Sequence, residues 1–124
     1  MILNCWIIDD EPLAINLLES YVEKTPFLKL TGKYSSALAA MHDLENQQPN
    51  IIFLDIQMPE LSGMEFSQFV HPEARIIFTT AFSEYAINGY KVNALDYLLK
   101  PISFTDFLTA AKKALNWFEI SQKA

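Results

Sequence analysis

Five apolar runs of strand length punctuate the chain, and the stretches between them repeat apolar residues at helical spacing. "ILNCWII", residues 2–8, is almost continuously apolar and ends in Asp9, Asp10 and Glu11. Pro12 suits the first turn of a helix whose stripe Ala14, Leu17, Leu18 and Tyr21 follows the i, i+3, i+4, i+7 rule, and Pro26 ends it. "FLKLTGKY" predicts a second, less buried strand, after which Ser35 or Ser36 can cap a helix through Leu38, Met41 and Leu44, closed by Pro49. "NIIFLD" is the third strand. A loop with Pro59 and Gly63 leads to a short helix over residues 64–70, and "RIIFTT" is the fourth strand. "SEYAINGYKV" predicts a weak helix. "ALDYLL" is the fifth strand, and Ser103 can cap a last helix carrying Phe104, Phe107, Leu108, Ala111, Leu115 and Phe118.

Strands that each precede a helix call for a parallel α/β sheet covered on both faces by right-handed crossovers. Such sheets bind ligands beyond the carboxyl ends of their strands. Asp9 and Asp10 end the first strand, Asp55 the third, Thr79 and Thr80 the fourth, and Lys100 the fifth, so one rim collects them all.

Composition narrows what that rim can do. With 124 residues, 51% of them hydrophobic, the chain makes one domain, residues 1–124, with a sizeable core. Nine basic against 15 acidic residues give a formal charge of -6, which argues against direct nucleic-acid binding. Cys5 lies within an apolar run and reads as a small buried hydrophobe; one cysteine allows no internal disulfide, in keeping with a cytoplasmic location. The opening "MILNCWIIDDEP" lacks a basic n-region and its apolar run stops at Asp9, so neither a signal peptide nor a membrane span is expected.

Any one of these acids would read as a turn former or a helix cap. Gathered together, three carboxylates repel one another unless a cation lies among them. An all-oxygen set suits a hard divalent ion, Mg2+ or Mn2+, and gives no reason to choose zinc. His42 and His71 lie in other segments and read as surface residues. Metal and Lys100 together are the equipment for holding a phosphoryl group, and Asp55, on a central strand, is best placed to accept it as an acyl phosphate.

"IIDDEP", "FLDIQMPELSGMEF", "FTTAF" and "DYLLKP", in this order along nearly the whole chain, resemble the receiver domain of two-component response regulators. "FTTAFSEYAINGYKVNALDYLLKPI" is further similar to receivers attached to LytTR-type DNA-binding domains. The resemblance implies a flavodoxin-like (βα)5 three-layer sandwich with strand order 2-1-3-4-5. It implies Asp55 as phosphoacceptor, Asp9 and Asp10 as the acid pair, and the backbone carbonyl of Gln57 as a further magnesium contact. Lys100, before a cis Pro101, would pair with the phosphoryl oxygens, with Thr80 rather than Thr79 as switch hydroxyl and Tyr97 as switch aromatic. The resemblance further implies that Gln57 and Phe82 occupy positions that tune phosphoryl lifetime, and bulky Phe82 is expected to restrict the attacking water and slow hydrolysis. Glu11 matches no required ligand and reads as an acid in the first helical turn.

The expected function is a phosphorylation-activated switch, a signalling domain and not an enzyme. It would take its phosphoryl group from a sensor histidine kinase and relay it to an output domain outside this chain, DNA-binding in a transcriptional regulator. The face formed by the helix after strand four, strand five and the last helix, with Tyr85, Tyr90, Val92 and Tyr97, is the expected place for dimerisation or output. Other classes fit less well. A haloacid dehalogenase-type phosphohydrolase commonly wants a second Asp two residues after its nucleophile, where this chain has Gln57, which cannot titrate. A flavodoxin-like cofactor binder wants a phosphate-cradling loop where this chain has Asp9-Asp10-Glu11-Pro12. A receiver-like module that binds partners without phosphorylation would use the same fold.

Overall fold

The computed structural model describes residues 1–84 and 94–123. Strands β1 (Leu3–Ile8), β2 (Leu28–Tyr34), β3 (Ile51–Asp55), β4 (Arg75–Thr80) and β5 (Asp96–Leu99) alternate with helices α1 (Pro12–Glu23), α2 (Ala37–Leu44), α3 (Gly63–Ser67) and, after β5, α4 (Phe104–Lys123). The strands form one parallel sheet in the order β2-β1-β3-β4-β5. This is the α/β flavodoxin-like architecture expected from the sequence.

The pleat divides the core in two, because successive strand residues face opposite sides. Leu3, Cys5, Ile7, Phe53, Ile77 and Leu98 pack against Leu18 and Val22 of α1 and Phe107, Ala110, Ala111 and Ala114 of α4. Trp6, Ile8, Ile52, Leu54, Ile76 and Phe78 pack on the other face against Ala37, Ala40 and Leu44 of α2 and Phe66 of α3. The small alanines of α4 let that helix lie close over the central strands. Burial pushes the Cys5 thiol up to about 12, so it stays protonated and inert in this core.

Several local expectations shift. Leu17, placed on the buried stripe of α1, is 38% exposed, and Leu38 of α2 is 50% exposed. In both helices a second stripe overlaps the first, and packing selects Leu18 and Val22, with Ile15 and Tyr21 beside them, in α1 and Ala37, Ala40 and Leu44 in α2. Ser36, not Ser35, caps α2, its hydroxyl accepting from Ala39 N at 3.1 Å. The helix expected over 64–70 runs from Gly63 to Ser67. Ser103 caps α4 as expected, accepting from Asp106 N at 3.1 Å. Most of the helix expected over 83–92, with Tyr85, Tyr90 and Val92, lies outside the described residues. Among the described residues no helix is long and apolar enough to cross a membrane.

Candidate functional site

The parallel register brings the strand ends to one rim. Asp55 is the last residue of β3 and pairs with Thr79 of β4, while Thr80 pairs with Leu99 next to Lys100. The chain leaving β3 is held on both sides, Ile56 N donating to Thr79 O at 3.1 Å and Gly63 N to Ile56 O at 2.8 Å. A Cβ on Gly63 would overlap the Asp55 carbonyl oxygen, so the entry to α3 approaches β3 closer than any side chain allows. A Ser62/Glu65 capping box and a left-handed Glu60, with φ 68°, fix the turn between them. Asp55 therefore sits on rigid backbone, 4% exposed.

The other site residues converge on it. Asp9, fully buried, follows β1; its N–H donates to Tyr34 O at 3.1 Å, and its Oδ1 accepts from Glu11 N at 2.9 Å. Asp10 is exposed beside it. Asp9, Asp10 and Asp55 each offer a carboxylate oxygen within 4.8 Å of the others. Lys100 N donates to Thr80 O at 2.8 Å, and the Lys100–Pro101 peptide is cis, as the resemblance implies. Lys100 Nζ lies 2.9 Å from Asp9 Oδ2, 3.5 Å from Asp55 Oδ1 and 3.6 Å from Glu11 Oε1.

Electrostatics mark the cluster as under strain. Burial, then the Asp9 charge, with Asp10 adding to them against the pull of Lys100, push the Asp55 carboxyl up to about 7. Burial opposes the charge on Lys100, but Asp9, Asp55 and Glu11 more than offset it and raise its pKa. Asp9 Oδ2 is buried with its charge contact to Lys100 but no aligned hydrogen bond, and Thr79 Oγ1 is buried without one. Three converging carboxylates, one with an oxygen left short of donors, fit a hard divalent cation better than they fit one another.

The remaining expected residues fall around this centre. Gln57 is exposed, two residues beyond Asp55. Thr80 is 2% exposed and its Oγ1 accepts from Phe82 N at 3.0 Å; Phe82 itself is 43% exposed. Tyr97, half-buried, stacks on Phe78 with ring centroids 5.3 Å apart, and burial raises its pKa. His42 and His71 are exposed and outside the acid group. Glu11 corrects its sequence reading. It is the N-cap of α1, outside the first turn, and its carboxylate reaches Lys100 and makes no capping bond. Sequence reasoning also missed what Gly63 does, although a glycine at the mouth of a helix was a signal for close backbone approach.

Comparison with known proteins bears on the family and the fold. The profile of the "Response regulator receiver domain" matches residues 5–112. The chain is 43% identical over 98 residues to the transcriptional regulatory protein BtsR of Escherichia coli K12, covering 77% of this chain and 41% of BtsR. It is 38% identical over 102 residues to an uncharacterized response regulatory protein of Shewanella oneidensis, covering 81% of this chain and 43% of that protein. The chain thus spans less than half the length of these relatives. Among solved structures, the response regulatory domain of mrkE from Klebsiella pneumoniae superposes with a TM-score of 0.85 at 27% identity, covering 94% of this chain and 98% of that one. The response regulator PhyR from Brucella abortus gives a TM-score of 0.86 at 26% identity, over 98% of this chain and 51% of that one.

Proposed function

The chain belongs to the response regulator receiver family, and on that premise we propose that it is a phosphorylation-activated switch whose phosphoacceptor is Asp55. The observation that carries this reading is the placing of Asp55: rigid, buried at the end of β3, and within 3.5 Å of Lys100 Nζ. An Asp55 oxygen attacks phosphorus as the bond from phosphorus to the imidazole nitrogen of the kinase's phosphohistidine breaks, and the electron pair stays on that nitrogen. Lys100 turns its ammonium from the carboxylates to the incoming phosphoryl oxygens and orients the group for in-line transfer. Asp9, Asp10, Asp55 and the backbone carbonyl of Gln57 would hold Mg2+, or Mn2+ in its place, and the bound ion supplies positive charge against the carboxylates and phosphoryl oxygens.

The new dianionic group draws Thr80 and Lys100 toward it, and Tyr97 turns inward behind Thr80. What supports this is that Thr80 is buried at the rim and Tyr97 is half-buried against Phe78, one residue pair from the site. The surface that includes β5 and α4 then changes shape, for an output domain or a second copy of the chain. The relatives named transcriptional regulatory proteins, more than twice as long as the matched stretch, support a DNA-binding output, of LytTR type by the motif between residues 78 and 102, in a cytoplasmic regulator. The phosphoryl donor is a sensor histidine kinase.

The test is intact mass after incubation with acetyl phosphate, with and without magnesium, for wild type and Asp55→Ala. A magnesium-dependent gain of one phosphoryl group, absent from Asp55→Ala, is expected. No gain in a wild type whose circular dichroism shows it folded, whether from acetyl phosphate or from a phosphorylated kinase, would overturn the reading in favour of a module that binds without phosphorylation. In the same assay Phe82→Ala should lose its phosphoryl group about threefold faster, by opening the approach of water; an unchanged decay removes Phe82 from the mechanism.

A further inference from the structure

The three carboxylates around Lys100 Nζ are not equivalent. Asp9 and Asp55 belong to the acid trio that can hold a divalent cation, whereas Glu11 stands outside it. Glu11 also occupies a helix N-cap, where an acid side chain ordinarily accepts from the first-turn amides, yet it makes no such bond. Its backbone is tied down, the N–H donating to Asp9 Oδ1 at 2.9 Å and Pro12 following at the first helical position. From that anchored point the carboxylate meets the ammonium of Lys100 at 3.6 Å, at the open edge of the site: the Glu11 side chain is 67% exposed, that of Lys100 18% and that of Asp9 1%.

A divalent cation held by the trio would compete with Lys100 for the Asp9 carboxylate, whose Oδ1 already accepts from Glu11 N and whose Oδ2 the ammonium approaches to 2.9 Å. Two cations cannot crowd one buried carboxylate without strong repulsion. A carboxylate outside the trio changes this competition, because it offers the lysine another partner without removing it from Asp55.

We infer that Glu11 is a positioning residue that draws the Lys100 ammonium to the solvent side of Asp55, so that Asp9 is free to ligate the cation while the lysine stays poised for the phosphoryl group. This rests on the phosphoacceptor reading above. It assigns work to an acid that the receiver resemblance leaves without any.

Through-space charge is the competing explanation, since any acid near the trio attracts a cation. A double-mutant cycle separates the two. Mn2+ binding is measured by calorimetry on wild type, Glu11→Gln, Lys100→Gln and the double variant. Glu11→Gln should weaken Mn2+ binding about two- to fivefold in the wild-type background, the range of one partly exposed ion pair, and by less than about 1.5-fold once Lys100 is gone. Equal weakening in both backgrounds, or no weakening in either, overturns the inference. Acetyl phosphate labelling of the same wild type keeps the two readings apart. If it takes no phosphoryl group while the Mn2+ cycle behaves as expected, the phosphoacceptor role of Asp55 falls and the positioning of Lys100 by Glu11 stands.

Discussion

The two rims of the sheet are made from the same five strands and differ in how they gather charge. At the amino-terminal rim Asn50 ties three segments together: its Oδ1 accepts from Asn4 N, its N donates to Asn4 O and its O accepts from Arg75 N, each at 2.8 Å. The guanidinium of Arg75 lies 4.7 Å from the ring centroid of Trp117, joining β4 to α4, although its Nε is buried without an aligned hydrogen bond. At the carboxyl-terminal rim three acids crowd one lysine, Asp9 Oδ2 and Thr79 Oγ1 lack aligned hydrogen bonds, and Asp55 is held far from its ordinary pKa. One end is arranged for stability. The other stores unfavourable electrostatics, which under the proposed function a bound cation and a phosphoryl group would relieve, as expected of a functional site on an otherwise consistent fold.

The hardest way to break the contrast is to attack the backbone that holds the strained rim in place. Gly63→Ala forces a methyl group into the Asp55 carbonyl and should cost about 3 kcal/mol or more, seen in urea unfolding, together with most phosphorylation. Replacing the strained group itself should have the opposite sign. Asp55 is raised from an ordinary value of 3.8 to about 7, so between these pH values the folded chain keeps a proton that the unfolded chain has released. Its contribution to stability therefore falls as pH rises from about 4 to about 7 and stays low above that. With a chelator present, Asp55→Asn should be more stable than wild type by roughly 1–2 kcal/mol at pH 8, after allowance for solvent near the site, and the gain should shrink toward zero near pH 4. A gain that does not depend on pH would mean the strain is not electrostatic.

The smallest change sharpens the comparison from the other side. Asn50→Ala removes the acceptor for Asn4 N and should cost about 1 kcal/mol in thermal or urea unfolding. Phosphoryl uptake from acetyl phosphate should stay within about twofold of wild type, because the strands that carry the acids keep their register. If uptake collapses with so small a loss of stability, the two rims are coupled and the division of labour between them is wrong.

The order of elements, the strand ends and the residues standing on them were legible from local pattern. Apolar runs, prolines and capping serines act within a few residues, and a parallel α/β topology then sends every strand end to one rim. Asp9, Asp10, Asp55, Thr79, Thr80 and Lys100 could be named on that basis, whereas the choice of Thr80 over Thr79 came from the resemblance to receiver domains. Which of two overlapping stripes a helix buries could not, since Leu17 and Leu18 of α1 obey the same period and only docking on the sheet chose Leu18. The glycine demanded at position 63 and the turn of Glu11 away from its own helix toward Lys100, 89 residues on in the chain, were likewise decided by tertiary structure. Periodicity and capping are short-range, whereas close backbone approach and the sharing of one ammonium among three acids depend on distances that exist only once the strands are in register.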